Sequence, residues 1–172
     1  MKNKYEILGE TTVIFIRRRN GDVFNTFIDT VDLDKAQSFP GSWYVNYNQK
    51  TKSYYVMGNY KKENGKTSLI GLHRFLMNPP DDMVVDHYDR NTLNNKRKNL
   101  RVVTVEQNNQ NTSLQKNNKA GARGVFWCKS KNKYRAYVKH RGKYHYFGYF
   151  TSVKDAAIAA ENGRKKLLPY AN

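Results

Sequence analysis

Val84-Val-Asp-His-Tyr-Asp-Arg-Asn-Thr-Leu-Asn-Asn-Lys-Arg-Lys-Asn-Leu-Arg-Val-Val-Thr-Val-Glu-Gln-Asn-Asn-Gln-Asn111 is the stretch on which the reading of this chain turns. An apolar run carries into the pair Asp86-His87, and an asparagine-rich polar loop leads to Asn99-Leu100. The pattern predicts strand, loop and helix, with the helix over Val102–Asn111, Thr104 as its N-cap and Gln107 three residues on as in a capping box. The Asp-His pair would then lie on the strand and Asn108 on the helix. Adjacent strand residues point to opposite faces, so Asp86 and His87 can serve one site only where the strand ends or twists. One imidazole near two hard oxygen donors is the minimum equipment for metal-assisted hydrolysis of a phosphodiester.

Working outward, Leu72–Met77 reads as a short helix stopped ahead of Pro79-Pro80, because the residue before proline avoids the helical region. His73 and Arg74 lie on it and can face the same cleft. Residues 1–70 read as antiparallel strands. Thr12–Arg17 and Val23–Ile28 flank Arg19-Asn20-Gly21-Asp22, where Asn-Gly supplies the positive φ of a tight hairpin turn. Asp29–Ser38 is short, polar and partly helical. Trp43–Tyr47 and Ser53–Met57 form a second hairpin. Arg17, Arg18 and Arg19 cluster at a hairpin tip, as a solvated turn or as a phosphate clamp.

Residues 112–119 have no hydrophobic period and read as a linker. From Ala120 three short strands follow, over Arg123–Cys128, Lys133–Lys139 and Lys143–Phe150. The period of two sets Tyr134, Ala136 and Val138 against Arg135, Tyr137 and Lys139, and His145 and Phe147 against Tyr144 and Tyr146. One face is apolar and the other basic and aromatic, with Arg141 in the turn between the last two strands. Thr151-Ser152 caps a helix whose alanines can lie close on the apolar face.

The formal charge is +17 over 172 residues. It is unevenly placed. Residues 1–70 carry eleven Lys/Arg against seven acids, a net +4; residues 71–114 carry six against five, a net +1; residues 115–172 carry fourteen against two, a net +12. A basic, aromatic C-terminal segment beside a near-neutral central one separates grip from chemistry, and double-stranded DNA is the expected partner. A single cysteine excludes an internal disulfide and a four-cysteine zinc site, so no zinc is expected. There is no run of eighteen apolar residues and no signal-peptide core, which predicts no membrane association and a cytoplasmic location.

Val84–Asn111 resembles the HNH nuclease motif, the ββα-metal site, and is closest to the phage-type HNH homing endonucleases, a likeness reaching back to Leu72-His73-Arg74. The resemblance implies His87 as general base, Asp86 and Asn108 as ligands of Mg2+ (Mn2+ being the alternative), and Asn99 as structural support of the catalytic loop. The family's Asp-His-Ile-Asp-Gly run stands here as Asp86-His-Tyr-Asp-Arg90. The last fifty residues resemble an AP2 DNA-binding domain, in which Arg123, Tyr137, Lys139, Tyr144 and Tyr146 fall where that family contacts DNA. Arg135, Arg141 and Lys143 belong to the same expected surface.

The expected fold is therefore α+β: an N-terminal antiparallel β region (1–70), a central ββα-metal motif (71–111), a linker (112–119) and an AP2-like three-stranded sheet plus helix (120–172). The expected function is a monomeric, site-specific, metal-dependent DNA endonuclease or nickase of the homing type, whether free-standing or intron-encoded. The competing readings are a DNA-binding regulator with a non-catalytic HNH-like scaffold and an RNA-binding β protein.

Overall fold

The computed structural model describes residues 1–111, 114 and 118–171. They gather into two compact units, Met1–Val105 and Glu106–Asn172.

In the first unit β1 (Tyr5–Leu8), β2 (Thr11–Arg17) and β3 (Val23–Asp29) form an antiparallel meander. The β2–β3 connection is a five-residue loop rather than a two-residue turn. Arg18 N–H donates to Asp22 O, and only Gly21 within the loop has positive φ, +93°. A 3₁₀ turn and α1 (Leu33–Gln37) lead to a second meander of β4 (Trp43–Asn48), β5 (Ser53–Lys61) and β6 (Thr67–Gly71). Then comes α2 (Leu72–Met77), which ends at Asn78 in the left-handed conformation, φ +44°. The short helix expected before Pro79 is present.

The sheets and α2 share one core. Ile14 and Ile16 of β2, Ile28 of β3, Trp43 and Val56 of the second meander, and Leu72 and Leu76 of α2 form a single buried cluster. A separate 1–70 region is thus replaced by a unit running through Val105. A three-stranded sheet cannot bury its own apolar face and needs a partner layer, which α2 and the second meander provide.

β7 (Val84–His87) pairs antiparallel with β8 (Leu100–Val103), matching Val84 to Val103, Val85 to Val102, Asp86 to Arg101 and His87 to Leu100. This corrects the helix expected over Val102–Asn111. Val102 and Val103 are β-branched and find cross-strand valines, so they extend the hairpin. Only α3 (Val105–Asn108), a single turn spanning the boundary between the units, is helical. Thr104 stands just ahead of it, where the cap was expected.

Of the expected linker, Thr112, Ser113, Gln115, Lys116 and Asn117 lie outside the described residues. In the second unit β9 (Val125–Cys128), β10 (Lys133–His140) and β11 (Lys143–Phe150) form a sheet in the order β11-β10-β9, followed by α4 (Val153–Leu167). Ser152 caps α4, its hydroxyl accepting from Lys154 N–H at 3.1 Å. The strand faces follow the expected alternation, with Ala136 and Val138 buried and Tyr144 and Tyr146 exposed. One irregularity breaks the period. Ala136 pairs with Gly148 but Tyr137 with Tyr146, so Phe147 is an extra residue on β11, and it turns inward onto Val125, Ala136, Ala156 and Ala160.

α4 approaches the sheet most closely at Gly163, where an added Cβ would stand 2.4 Å from the Phe147 ring. Gly163→Ala should therefore destabilise the second unit. The gain in helix propensity, about 1 kcal/mol, is outweighed by overpacking of about 1–3 kcal/mol against a packed ring. Asn162→Ala, on the exposed side of the same turn, is expected to stabilise slightly. Thermal unfolding of the two variants measures the contrast; a Gly163→Ala protein melting above wild type would refute the packing argument.

Candidate active site

The β7–β8 hairpin delivers Asp86 and His87 side by side, 9% and 4% exposed. His87 is the last residue of β7. As the alternation argument required, the strand ends there. Tyr88 N–H donates to Asn99 O at 2.8 Å, and the chain leaves in a loop whose Arg90 takes φ +63° and donates its N–H to His87 O. A side chain in that left-handed region costs about 1 kcal/mol.

Asn99 bonds backbone groups of this loop. It is 6% exposed, its Oδ1 accepts from Asp89 N–H at 2.9 Å, and its Nδ2 donates to Asn94 O at 2.8 Å. Asp89 in turn accepts from Asn91 N–H and from Asn94 Nδ2. The partner of the His87 ring is a different asparagine. His87 Nε2 lies 3.3 Å from Oδ1 of Asn95, which is fully buried. Nothing in the sequence singled out Asn95 among its neighbours, since its other partners come from β3. Asn95 N–H donates to Phe27 O at 2.7 Å, and Asn95 Nδ2 to Thr26 Oγ1 at 2.8 Å.

His73 of α2 lies beside His87. Its ring centroid lies 4.9 Å from that of His87, and Tyr55 of β5 flanks both rings at 6.1 and 6.2 Å. Gly71 makes room for it, because a Cβ there would sit 2.5 Å from His73 Cε1. Tyr55 is a second residue the sequence reading missed. Arg74 points elsewhere: its guanidinium donates to Met83 O at 2.7 Å and to Pro80 O at 3.4 Å, holding the segment before β7.

Asp86 accepts from Arg101 Nη2 at 2.5 Å across the hairpin, and the Arg101 guanidinium lies 4.8 Å over the Tyr88 ring. Arg101 was not foreseen, although residues directly opposed on paired strands are natural ion-pair partners. Asn108 is the last residue of α3 and falls in the second unit.

Burial governs the electrostatics of the imidazoles. His73 is pushed down to about 3, first by burial and then by the charge of His87 and of Arg74. His87 is also lowered by burial, against the opposing effects of its Asn95 bond and of Asp86 and Asp89. Both rings are thus neutral at pH 7. His73 binds a proton in the unfolded chain near pH 6.5 but in the fold only near 3, so between these values unfolding takes up a proton. Stability should be unaffected by this group above pH 6.5, and should decline by up to about 1.4 kcal/mol per pH unit as pH falls below it. Urea midpoints at pH 7.5 and 5.5 test this, in a window where carboxylates stay ionised. His73→Phe is expected to flatten the decline, and a wild type equally stable at both values would contradict it.

The expected DNA-contacting residues divide between the units. In the first, Arg17 ends β2 while Arg18 and Arg19 open the exposed loop; Arg18 pairs with Asp22 at 3.4 Å and lies 5.9 Å over Tyr54. In the second, the Arg135 guanidinium lies between the rings of Phe126 (5.6 Å) and Tyr146 (4.9 Å), and Lys139 lies 5.5 Å over Tyr144. Tyr144 and Tyr146 are stacked with planes 13° apart. Arg141 is 77% exposed and 4.0 Å from Glu106; Lys143 is exposed beside it. Tyr137, half-buried, packs 5.5 Å from Tyr144. Arg123 instead donates to Gln110 O at 2.8 Å.

A model of the HNH endonuclease family matches residues 78–110. The matched segment contains the β7–β8 hairpin with Asp86, His87, Asn95 and Asn99. Protein 3.8 of Escherichia phage T7 is 35% identical over 68 residues, covering 40% of this chain and 56% of that protein. An uncharacterized HNH endonuclease of Acanthamoeba polyphaga mimivirus is 41% identical over 80 residues, covering 43% of this chain and 40% of that protein. The chain thus spans about half the length of the curated relatives it matches. No solved structure matches it. No helix among the described residues is long and apolar enough to cross a membrane.

HNH nucleases generally use a divalent metal. Among the described residues no group of three or more His, Cys, Asp or Glu is placed to hold one. One hard carboxylate, Asp86, is nevertheless a donor set that fits a hydrated oxygen-seeking cation, which takes one or two protein carboxylates and completes its shell with water and phosphate oxygens.

Proposed function

We propose that this protein is a metal-dependent, site-specific DNA endonuclease of the homing type, hydrolysing one phosphodiester per active site. The observation that carries the proposal is a neutral, buried His87 at the end of β7, beside Asp86 and inside the segment matched by the HNH endonuclease family. His87 accepts a proton from water as the water oxygen attacks phosphorus and the bond from phosphorus to the departing oxygen breaks. Asp86 would hold Mg2+ or Mn2+. Bound there, the cation neutralises charge on the phosphate and on the departing oxygen. Asn99 keeps the loop in shape behind the imidazole.

The second unit reads as the DNA-gripping module, AP2-like in its three strands and helix. Arg135, Tyr137, Lys139, Tyr144 and Tyr146 present base-stacking and phosphate-binding groups on one sheet face, with Arg141, Lys143 and Arg123 at its margin. His73 and Arg74 then act through the architecture of the site, and Arg17, Arg18 and Arg19 are left as a backbone clamp. The enzyme acts as a monomer.

A second reading, a DNA-binding regulator, draws support from the Asp86–Arg101 ion pair, because a guanidinium on that carboxylate competes with a cation. Incubation with fragmented phage and host DNA in Mg2+, in Mn2+ and in EDTA separates the two. Cleavage or nicking at defined positions that is lost on chelation is expected. Tight duplex binding with no metal-dependent cleavage of any fragment would establish the regulator.

A further inference from the structure

We propose that Asn95, held by Thr26 of β3, is a positioning residue that fixes the His87 imidazole in the tautomer protonated at Nε2, so that Nδ1 carries the basic lone pair. The assignment of Nδ1 as the atom that receives the proton rests on the nuclease reading; the tautomer itself does not.

The inference follows from counting protons along a buried chain of bonds. Thr26 Oγ1 has one proton and donates it to Leu93 O at 2.7 Å. Toward Asn95, 2.8 Å away, the hydroxyl can therefore only accept, and the atom facing it must be the amide nitrogen. That places Asn95 Oδ1 toward His87 Nε2 at 3.3 Å. An amide oxygen only accepts, so Nε2 supplies the proton. A neutral imidazole has one N–H, and Nδ1 is left as the acceptor.

The chain has little freedom to rearrange. Thr26 and Asn95 are fully buried. The backbone of Asn95 is fastened to β3 through its N–H on Phe27 O, and Leu93 O also receives Phe27 N–H at 3.0 Å. Reversing the amide would set Asn95 Oδ1 against the Thr26 oxygen, whose proton is spent on Leu93 O, and leave that hydroxyl without its donor, a cost of about 1–3 kcal/mol for a buried polar group. The N-terminal meander thereby reaches into the hairpin site. Thr26 lies outside the segment matched by the family model, which begins at residue 78.

The test is two-bond 1H–15N correlation NMR of the histidine rings at pH 8. The protein has four histidines, and the His87 signals are identified by their loss in His87→Gln. A single Nε2–H pattern for His87 is expected in the wild type. The Nδ1–H pattern, or averaged shifts from two exchanging tautomers, would overturn the proposal. Thr26→Val and Asn95→Ala should convert the single pattern into a mixture while the amide spectrum stays dispersed. If either variant fails to fold, the wild-type tautomer alone decides the matter. None of this needs DNA, so a protein that cleaves nothing can still show the predicted tautomer. On a cleavable site, Thr26→Val should lower kcat by about tenfold or more with KM unchanged. A rise in KM alone would mean that Thr26 serves binding instead.

Discussion

His87→Ala is expected to abolish strand cleavage to the level of about a 10²–10⁴-fold loss in rate, with duplex affinity unchanged. The ring is 4% exposed and neutral, so it adds no charge to the grip on phosphate. The proposed phosphate-binding groups are instead the exposed Arg17, Arg18 and Arg19 and the basic face of the second unit. The loss should appear in kcat, because a general base is engaged only as the proton moves. Single-turnover cleavage of end-labelled target, alongside a gel-shift titration at one fixed salt concentration, reads both quantities. A variant that cuts within tenfold of wild type would remove His87 from the mechanism. One that neither binds nor cuts, yet keeps its wild-type melting curve, would assign the residue to binding.

Trp43→Ala should cost about 3–5 kcal/mol of stability in the first unit, enough to unfold many domains of this size at 37 °C. Trp43 is 1% exposed, stacks on Phe39 at 4.1 Å, meets Phe75 of α2 at 5.5 Å, and donates Nε1–H to Ala36 O at 3.5 Å. Gly58 fits under its ring with no room for a Cβ, 2.9 Å from Trp43 Cζ3. Removing the indole leaves a cavity between the second meander and the helix that carries His73, so cleavage should fall together with stability. Trp127→Ala is the control. Trp127 is 38% exposed on β9, and its loss is expected to stay below about 1 kcal/mol. With only two tryptophans in the chain, that variant keeps Trp43 as the sole indole reporter. Urea unfolding followed by circular dichroism compares all three proteins. Equal midpoints for the two variants would show that the Trp43 contacts are not what holds the unit together.

Much of this architecture is local, and local patterns were enough to read it. The β2–β3 and β4–β5 hairpins follow from alternating apolar runs around polar turns. The short α2, the Ser152 cap of α4 and the two-faced C-terminal sheet follow from periods of 3.6 and 2 that each segment carries by itself. The Asp86-His87 pair was legible for the same reason: residue types and spacing alone marked it. The helix expected over Val102–Asn111 failed at its first residues. The choice was made by Val84 and Val85, which lie seventeen or more positions earlier and offer Val102 and Val103 a strand to pair with.

What the chain by itself determined was its local elements and its residue types: a basic, aromatic protein built around an acid, an imidazole and an asparagine-rich loop. The tertiary structure alone decided which groups meet. His73 and Tyr55 come to the His87 ring from separate elements, Arg101 reaches Asp86 across the hairpin, and the N-terminal meander joins α2 in one core. Asn95 could not be told from Asn94 by sequence. Its role depends on a hydroxyl 69 positions away, and a hydrogen bond between such distant residues exists only once the β3 strand and the loop after β7 are packed side by side.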